Sequence, residues 1–125
     1  MATVVLLLCS VLSLAAQEPK RAKIVFDKES HTFGKVLRSG GDVSVEFRYN
    51  NEGDAPLVVK KATTSCQCTS VEFSKKPVMP GKSGVIKVIY SPHKLPAESF
   101  HKAIKVFTND AQGMHILTIH GESID

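Results

Sequence analysis

The chain has 125 residues, of which 42% are hydrophobic and 22% charged, and its formal net charge is +4 at pH 7. This length corresponds to one domain, since single domains most often contain about 100–150 residues. A nucleic-acid-binding domain concentrates lysine and arginine on one element with aromatic residues between them. Here the lysines are scattered along the chain, and we therefore expect no nucleic-acid partner.

Residues 1–16 predict a secretory signal peptide. The apolar run that starts at Val4 continues to Ala16 with only serines as polar interruptions, and it is shorter than the roughly 20 apolar residues that span a bilayer. Ser13-Leu14-Ala15 supplies the small residues of a cleavage site, so we place cleavage after Ala15 or Ala16. The mature chain is then expected to be exported, periplasmic or secreted, without a membrane span.

A lipid anchor on Cys9 is the competing interpretation of the same segment. A leucine three residues before this cysteine fits a lipoprotein signal, but the residue directly before it should be small, and it is Leu8. We therefore favour a cleaved signal over a lipid anchor. Cleavage removes Cys9 and leaves two cysteines, an even number that permits one disulfide in an oxidising compartment.

After a polar lead at 17–23, alternation with a period of two residues dominates residues 24–125, and no helical period is sustained. The clearest strand is Val43 to Asn50, where Val, Val, Phe and Tyr alternate with polar residues. Turn residues follow every 8–15 residues. The pattern predicts an all-β, immunoglobulin-like β-sandwich of seven to eight antiparallel strands. The predicted strands are Lys23–Asp27, His31–Val36, Val43–Asn50, Leu57–Val59, Thr69–Phe73, Val85–Tyr90, Ala103–Phe107 and Met114–Ile119.

No catalytic or cofactor-binding motif appears in the sequence. The Gly-Lys-Ser of Pro80–Gly84 lacks the earlier glycine of a phosphate-binding loop, because Lys76 occupies that position. None of the five histidines lies two to five residues from a cysteine, as a compact zinc site would prefer. We therefore expect a protein that is not an enzyme and has neither a cofactor nor a histidine-based metal site. The histidines are His31, His93, His101, His115 and His120.

Cys66 and Cys68 are the one place where chemistry beyond packing is plausible. In a straight strand their Cα atoms would lie about 6.6–7 Å apart, whereas a disulfide needs about 4.4–6.8 Å. A disulfide therefore requires a tight bend at Gln67. Three interpretations stay open: two small packing residues, a thiol/disulfide redox pair, or two thiolates that share a soft ion such as Cu(I).

Several segments, taken in order, resemble the bacterial DUF1573 domains over residues 25 to 122. This resemblance implies an exported immunoglobulin-like domain, common in Bacteroidetes, without an established activity. The family usually has glycine where this chain has Gln67, and glycine bends more readily, so the departure favours free thiols over a disulfide. The matching segments are Phe26-Asp27 with His31–Val36, Phe47–Gly53 with Pro56–Val59, Ser65–Thr69, Pro80–Gly84, Phe107–Asn109 and Leu117–Gly121.

The sandwich pattern and the absence of a catalytic motif in the sequence predict an exported, non-catalytic module. Its expected role is to bind an envelope protein or another macromolecule, or to serve as a structural part of the cell envelope. The alternative is a thiol-redox or copper-handling protein that uses Cys66 and Cys68.

Overall fold

The computed structural model describes residues 19–125. The predicted signal peptide at 1–16 and the start of the polar lead lie outside the described residues. Eight strands follow one another, with one three-residue 3₁₀ turn after the second strand and another after the sixth. The strands are β1 Ile24–Phe26, β2 Ser30–Leu37, β3 Val43–Asn51, β4 Val59–Thr64, β5 Thr69–Phe73, β6 Ser83–Tyr90, β7 Ser99–Thr108 and β8 Met114–Ile124.

The strands form two four-stranded sheets, in the order β1-β3-β6-β5 (sheet I) and β2-β8-β7-β4 (sheet II). Sequence alternation explains how they pack: Val45, Phe47 and Tyr49 of β3 are buried, while the residues between them are exposed. This is the arrangement of a strand with one face on the core. The predicted all-β immunoglobulin-like sandwich is confirmed. No helix of residues 19–125 is long and apolar enough to cross a membrane.

The core lies between the inner faces of the two sheets. Stacking of Tyr90 from sheet I on Phe100 from sheet II joins the sheets, with ring centroids 4.0 Å apart. Around this pair, aliphatic side chains from both sheets are fully buried, which removes their surface from water and stabilises the sandwich. They include Val59, Ile86, Val88, Ile104, Val106, Leu117 and Ile119.

One strand pairing differs from the expected antiparallel arrangement, because β2 runs parallel to β8. Only three residues separate β1 from β2, and no hairpin reverses the chain between them. The chain therefore keeps its direction as it passes from sheet I to sheet II. A register shift at Thr32–Gly34 accompanies this pairing, and Gly34 takes a positive φ of 71° there, a conformation that glycine adopts without steric cost.

The fourth strand begins later than predicted. Leu57 and Val78 form an isolated bridge, with hydrogen bonds in both directions between their backbones, and the regular pairing of β4 starts only at Val59. Pro56 cannot donate to a strand ladder, which is consistent with this late start. Leu57 is nevertheless fully buried, so the prediction identified a core segment but assigned it to the wrong element.

Asn51, the last residue of β3, is fully buried and uses its whole side chain in hydrogen bonds. Its Nδ2 donates to the carbonyls of Ala55 (2.8 Å) and Val78 (2.9 Å), and its Oδ1 accepts from the backbone N–H groups of Gly53 (2.9 Å) and Lys23 (3.2 Å). One side chain thus connects the start of sheet I, the segment after β3 and the loop before β6.

Asp110 organises the β7–β8 hairpin from a nearly buried position. Its carboxylate accepts hydrogen bonds from the Thr108 hydroxyl (2.6 Å), the Gly113 N–H (3.0 Å) and His115 Nε2 (2.9 Å). Burial raises the pKa of Asp110, but these donors outweigh it and hold the pKa below its usual value. The carboxylate therefore stabilises the hairpin in its ionised form.

Replacement of Asn51 by alanine is expected to lower the free energy of unfolding by about 1–3 kcal/mol, because it leaves three partly buried backbone groups without their hydrogen-bond partner. These groups are Lys23 N–H, Gly53 N–H and the Ala55 carbonyl; Val78 keeps the bond from Leu57. Urea unfolding measures the loss. A comparable loss in the half-buried neighbour Asn50→Ala would contradict the assignment.

The ionised Asp110 predicts a specific acid sensitivity. Because its pKa is lowered in the folded state, its contribution is complete above the unfolded value of about 3.9 and is lost as the pH falls toward the lower folded value. Asp110→Asn should cost about 1–3 kcal/mol at neutral pH and flatten the pH dependence of unfolding below about pH 5. Exposed Asp42→Asn is the control; an equal flattening there would refute the prediction.

Candidate functional site

Cys66 and Cys68 lie in the turn between β4 and β5 and are joined by a disulfide bond. Their Cα atoms are 5.1 Å apart, within the range that a disulfide allows. The spacing expected of a straight strand does not apply, because β4 ends at Thr64 and β5 starts at Thr69.

The bend at Gln67 needs no glycine. The Thr69 N–H donates to the Cys66 carbonyl (3.2 Å) across a four-residue turn, and no non-glycine residue described has a positive φ. Negative φ values at both central positions are those of a type I turn, which most residue types accept. The expectation that Gln67 favours free thiols assumed that the bend needs glycine. That assumption was wrong, because this turn type does not require a positive φ.

The two cysteines differ in exposure. Cys68 is 1% exposed and packs in the core, whereas Cys66 is half-buried at its edge. The Cys68 carbonyl accepts from the Ser91 N–H (2.7 Å), which fixes the turn to the end of β6. Reagents in solvent can therefore reach the disulfide on the Cys66 side only.

In this oxidised form the pair offers no thiolate to a metal, because the thiolate is the ligand and nucleophile form of cysteine. Within residues 19–125, no group of three or more His, Cys, Asp or Glu side chains is placed to hold a metal ion. The soft-metal hypothesis therefore applies to the reduced pair, and it stays a prediction together with the redox hypothesis.

The histidines of residues 19–125 make their polar contacts away from the two cysteines. His93 alone lies beside the disulfide turn, because its neighbours Ser91 and Lys94 donate hydrogen bonds to the carbonyls of Cys68 and Gln67. His115 and His120 lie on opposite sides of β8: His115 bonds Asp110 (2.9 Å), and His120 contacts His101 of β7 (3.3 Å). His31 contacts Lys28, and His93 lies 3.8 Å from Asp42. The His101–His120 contact was missed in the sequence, since nineteen positions separate the two residues and only the strand register brings them together.

The strand that follows the disulfide, β5, is a free edge of sheet I, since it pairs only with β6. Its register runs without a shift from Thr69 to Phe73. The Ser91 N–H donates to the Cys68 carbonyl, and in an antiparallel pair every second residue bonds to the neighbouring strand. Ser70 and Glu72 therefore hydrogen-bond to β6. The backbone N–H and C=O groups of Val71 and Phe73 point to the open side.

The other three edge strands are either short or irregular. β1 has three residues, β2 has a register shift at Thr32–Gly34, and β4 has one between Val59 and Lys61. Short strands, bulges and lysines are the features by which proteins prevent unwanted strand pairing, and Lys60 and Lys61 add charge to the β4 edge. β5 is therefore the most regular of the four terminal strands in the described part of the chain.

The family profile described as "Protein of unknown function (DUF1573)" matches residues 24–123. The chain belongs to this family. The match confirms the family predicted from the motifs and leaves the function of the domain open. No curated protein matches this DUF1573 chain.

Solved structures similar to this DUF1573 domain share its fold at low identity. A protein of unknown function from Porphyromonas gingivalis W83 has a TM-score of 0.68 and 17% identity over 90% of this chain, which spans 51% of that protein. PapD-like domain 7 of human CEP192 has a TM-score of 0.69 and 11% identity, covering 94% of this chain and 96% of that one. The Pseudomonas aeruginosa CupB2 chaperone has a TM-score of 0.55 and 14% identity, covering 79% and 55%.

The disulfide predicts unequal protection of the two cysteines. In protein alkylated without reductant, the peptide that carries Cys66 and Cys68 should be lighter than its reduced form by two hydrogens and carry no alkyl group. After mild reduction, Cys66 should be alkylated before the buried Cys68. Mass spectrometry of a time course measures both, and full alkylation without reductant would contradict the bond.

The same bond closes a very short loop, so its effect on stability is expected to be modest. Chain-entropy reasoning for a three-residue loop gives about 1–2 kcal/mol. The variant with both Cys66→Ala and Cys68→Ala should lose about this amount plus the packing of the buried Cys68. Urea unfolding with and without reductant separates the contribution of the bond from that of Cys68 packing, because reduction of the native protein removes only the contribution of the bond.

Proposed function

We propose that this chain is an exported, non-catalytic module of the cell envelope that binds an extended segment of a partner protein along β5. The observation that carries the proposal is the open, regular edge of that strand. An edge of this kind can accept another strand, whose backbone hydrogen bonds give affinity while side-chain pockets give specificity.

The side chains of β5 suit such a partner. Val71 and Phe73 are half-buried at the rim of the core, so an added strand could cover the apolar surface that they leave in water. On the outer face Glu72 lies opposite Lys87 and is exposed. We infer a partner segment with apolar residues at alternate positions and a polar or basic residue beside Glu72.

Export is supported by the signal-like segment at 1–16 and by the disulfide, since disulfides persist mainly in oxidising compartments. A non-catalytic role is supported by the histidine contacts of residues 19–125, which go to Asp, Lys or another His and never to a Ser, Thr or Cys side chain. A serine, threonine or cysteine nucleophile that is activated by histidine requires such a pairing. The fold shared with the CupB2 chaperone is consistent with a protein-binding role.

Thiol-disulfide exchange or copper handling is the second candidate, favoured by the partial exposure of Cys66. Metal analysis and reduction-potential measurement of the native protein test it. A reducible pair whose Cys66→Ser variant loses electron transfer to envelope oxidoreductases would favour this candidate over strand binding.

Strand binding along β5 is testable by photo-crosslinking in cells. A crosslinking side chain in place of Glu72, at the β5 edge, should give a discrete product with a partner. The matched control is the same group in place of exposed Lys105 of β7, which is paired with Thr63 of β4 on one side and with Ile116 of β8 on the other, so that no such product is expected.

Val71→Pro should abolish the product, because proline removes an N–H that points to the open side. The substitution should cost the fold only about 1–2 kcal/mol, which thermal unfolding checks. Equal crosslinking from positions 72 and 105, or a product that persists in folded Val71→Pro, would refute binding along β5.

A further inference from the structure

His101 and His120 form a pair of imidazoles on the outer face of sheet II. They are register partners on the adjacent strands β7 and β8. Their Nδ1 atoms are 3.3 Å apart and their ring centroids 5.0 Å apart. The pair belongs neither to the hydrophobic core nor to the β5 edge, and the proposed function does not use it.

The distance between the two nitrogens matches what a shared metal ion requires. Zinc binds histidine nitrogen at about 2.0–2.1 Å in tetrahedral geometry. Two such ligands at the tetrahedral angle are about 3.3–3.4 Å apart. An ion could therefore bind both Nδ1 atoms with the backbone positions of the two histidines unchanged.

The strands hold this geometry before any ion arrives. Pairing of β7 with β8 runs without a register shift from Ser99–Glu122 to Phe107–Met114, so the two Cα positions are fixed by a continuous ladder on both sides of the pair. His101 is exposed and His120 is half-buried. The site is thus preorganised and open to solvent, which leaves the remaining coordination positions to water.

Neighbouring groups define the number of protein ligands. His31 of β2 is engaged by the Lys28 ammonium, 3.0 Å from its Nδ1. Glu122, two residues beyond His120 on the same face, lies opposite Lys35 of β2. The site therefore has two imidazole ligands. The charges around it, the exposed Glu122 carboxylate and the ammonium groups of Lys28 and Lys35, oppose one another, so the two imidazoles supply the affinity for a cation.

We propose that His101 and His120 bind one divalent transition-metal ion of the class that prefers imidazole, which comprises zinc, copper(II) and nickel. Imidazole nitrogen selects these ions over magnesium and calcium, which prefer oxygen. Both rings bind as neutral ligands through Nδ1, and the hydrogen that one Nδ1 supplies to the present contact moves to Nε2. The disulfide keeps Cys66 and Cys68 from competing for the ion.

Isothermal titration of the oxidised protein, purified without a histidine tag, with Zn²⁺ and Cu²⁺ tests the site. One ion per chain is expected. His101→Gln or His120→Gln should each weaken binding about tenfold or more, since loss of even an outer partner of a metal ligand typically costs 10–100-fold. Mg²⁺ should give no binding.

His93→Gln is the matched control, because His93 is an exposed histidine in a 3₁₀ turn, and it should bind like the unmodified protein. NMR of the imidazole nitrogens gives an independent readout: Zn²⁺ should shift Nδ1 of His101 and His120 and leave His115 unchanged. Unaltered affinity in folded His101→Gln or His120→Gln, or shifts confined to other histidines, would overturn the proposal.

Discussion

The hydrogen bonds of Asn51 are the constraint on which the rest of this sandwich depends. They add side-chain bonds to the backbone bonds that join three places: the entry into sheet I, the chain after β3, and the loop before β6. Gly53 supports the same arrangement, because a side chain there would collide with the backbone of Arg21 and Lys23. Asn51 therefore holds together the corner where the chain before β1, the chain after β3 and the loop before β6 meet.

Strand alternation made most of the fold predictable. The half-buried strand β3 follows directly from its sequence, because one face is apolar and the other polar. The pattern did not show that β2 runs parallel to β8, since direction depends on how the chain crosses between sheets. Asn51 lies just beyond the predicted strand Val43–Asn50, and nothing in a linear sequence reveals how many backbone groups will surround one buried amide.

The candidate sites were predictable to different degrees. Cys66 and Cys68 stand out by spacing, yet their bond depends on a turn that Gln67 permits without glycine, and the assumption of a continuous strand concealed that turn. The pair of His101 and His120 has no local signature, because its two members meet through register alone. A site whose residues are close in sequence can be predicted from the sequence. A site formed by residues on two strands can be predicted only when the pairing of those strands is known.

The parallel pairing of β2 with β8 has a consequence for the order in which the domain can form. β8 is the last of the eight strands and lies between β2 and β7, so sheet II cannot be completed until this strand has been synthesised. Contacts between distant parts of a chain also form slowly, because closing the long loop costs entropy before the pairing is gained. A chain built in this way therefore keeps both neighbours of β8 without their partner until that strand has been made.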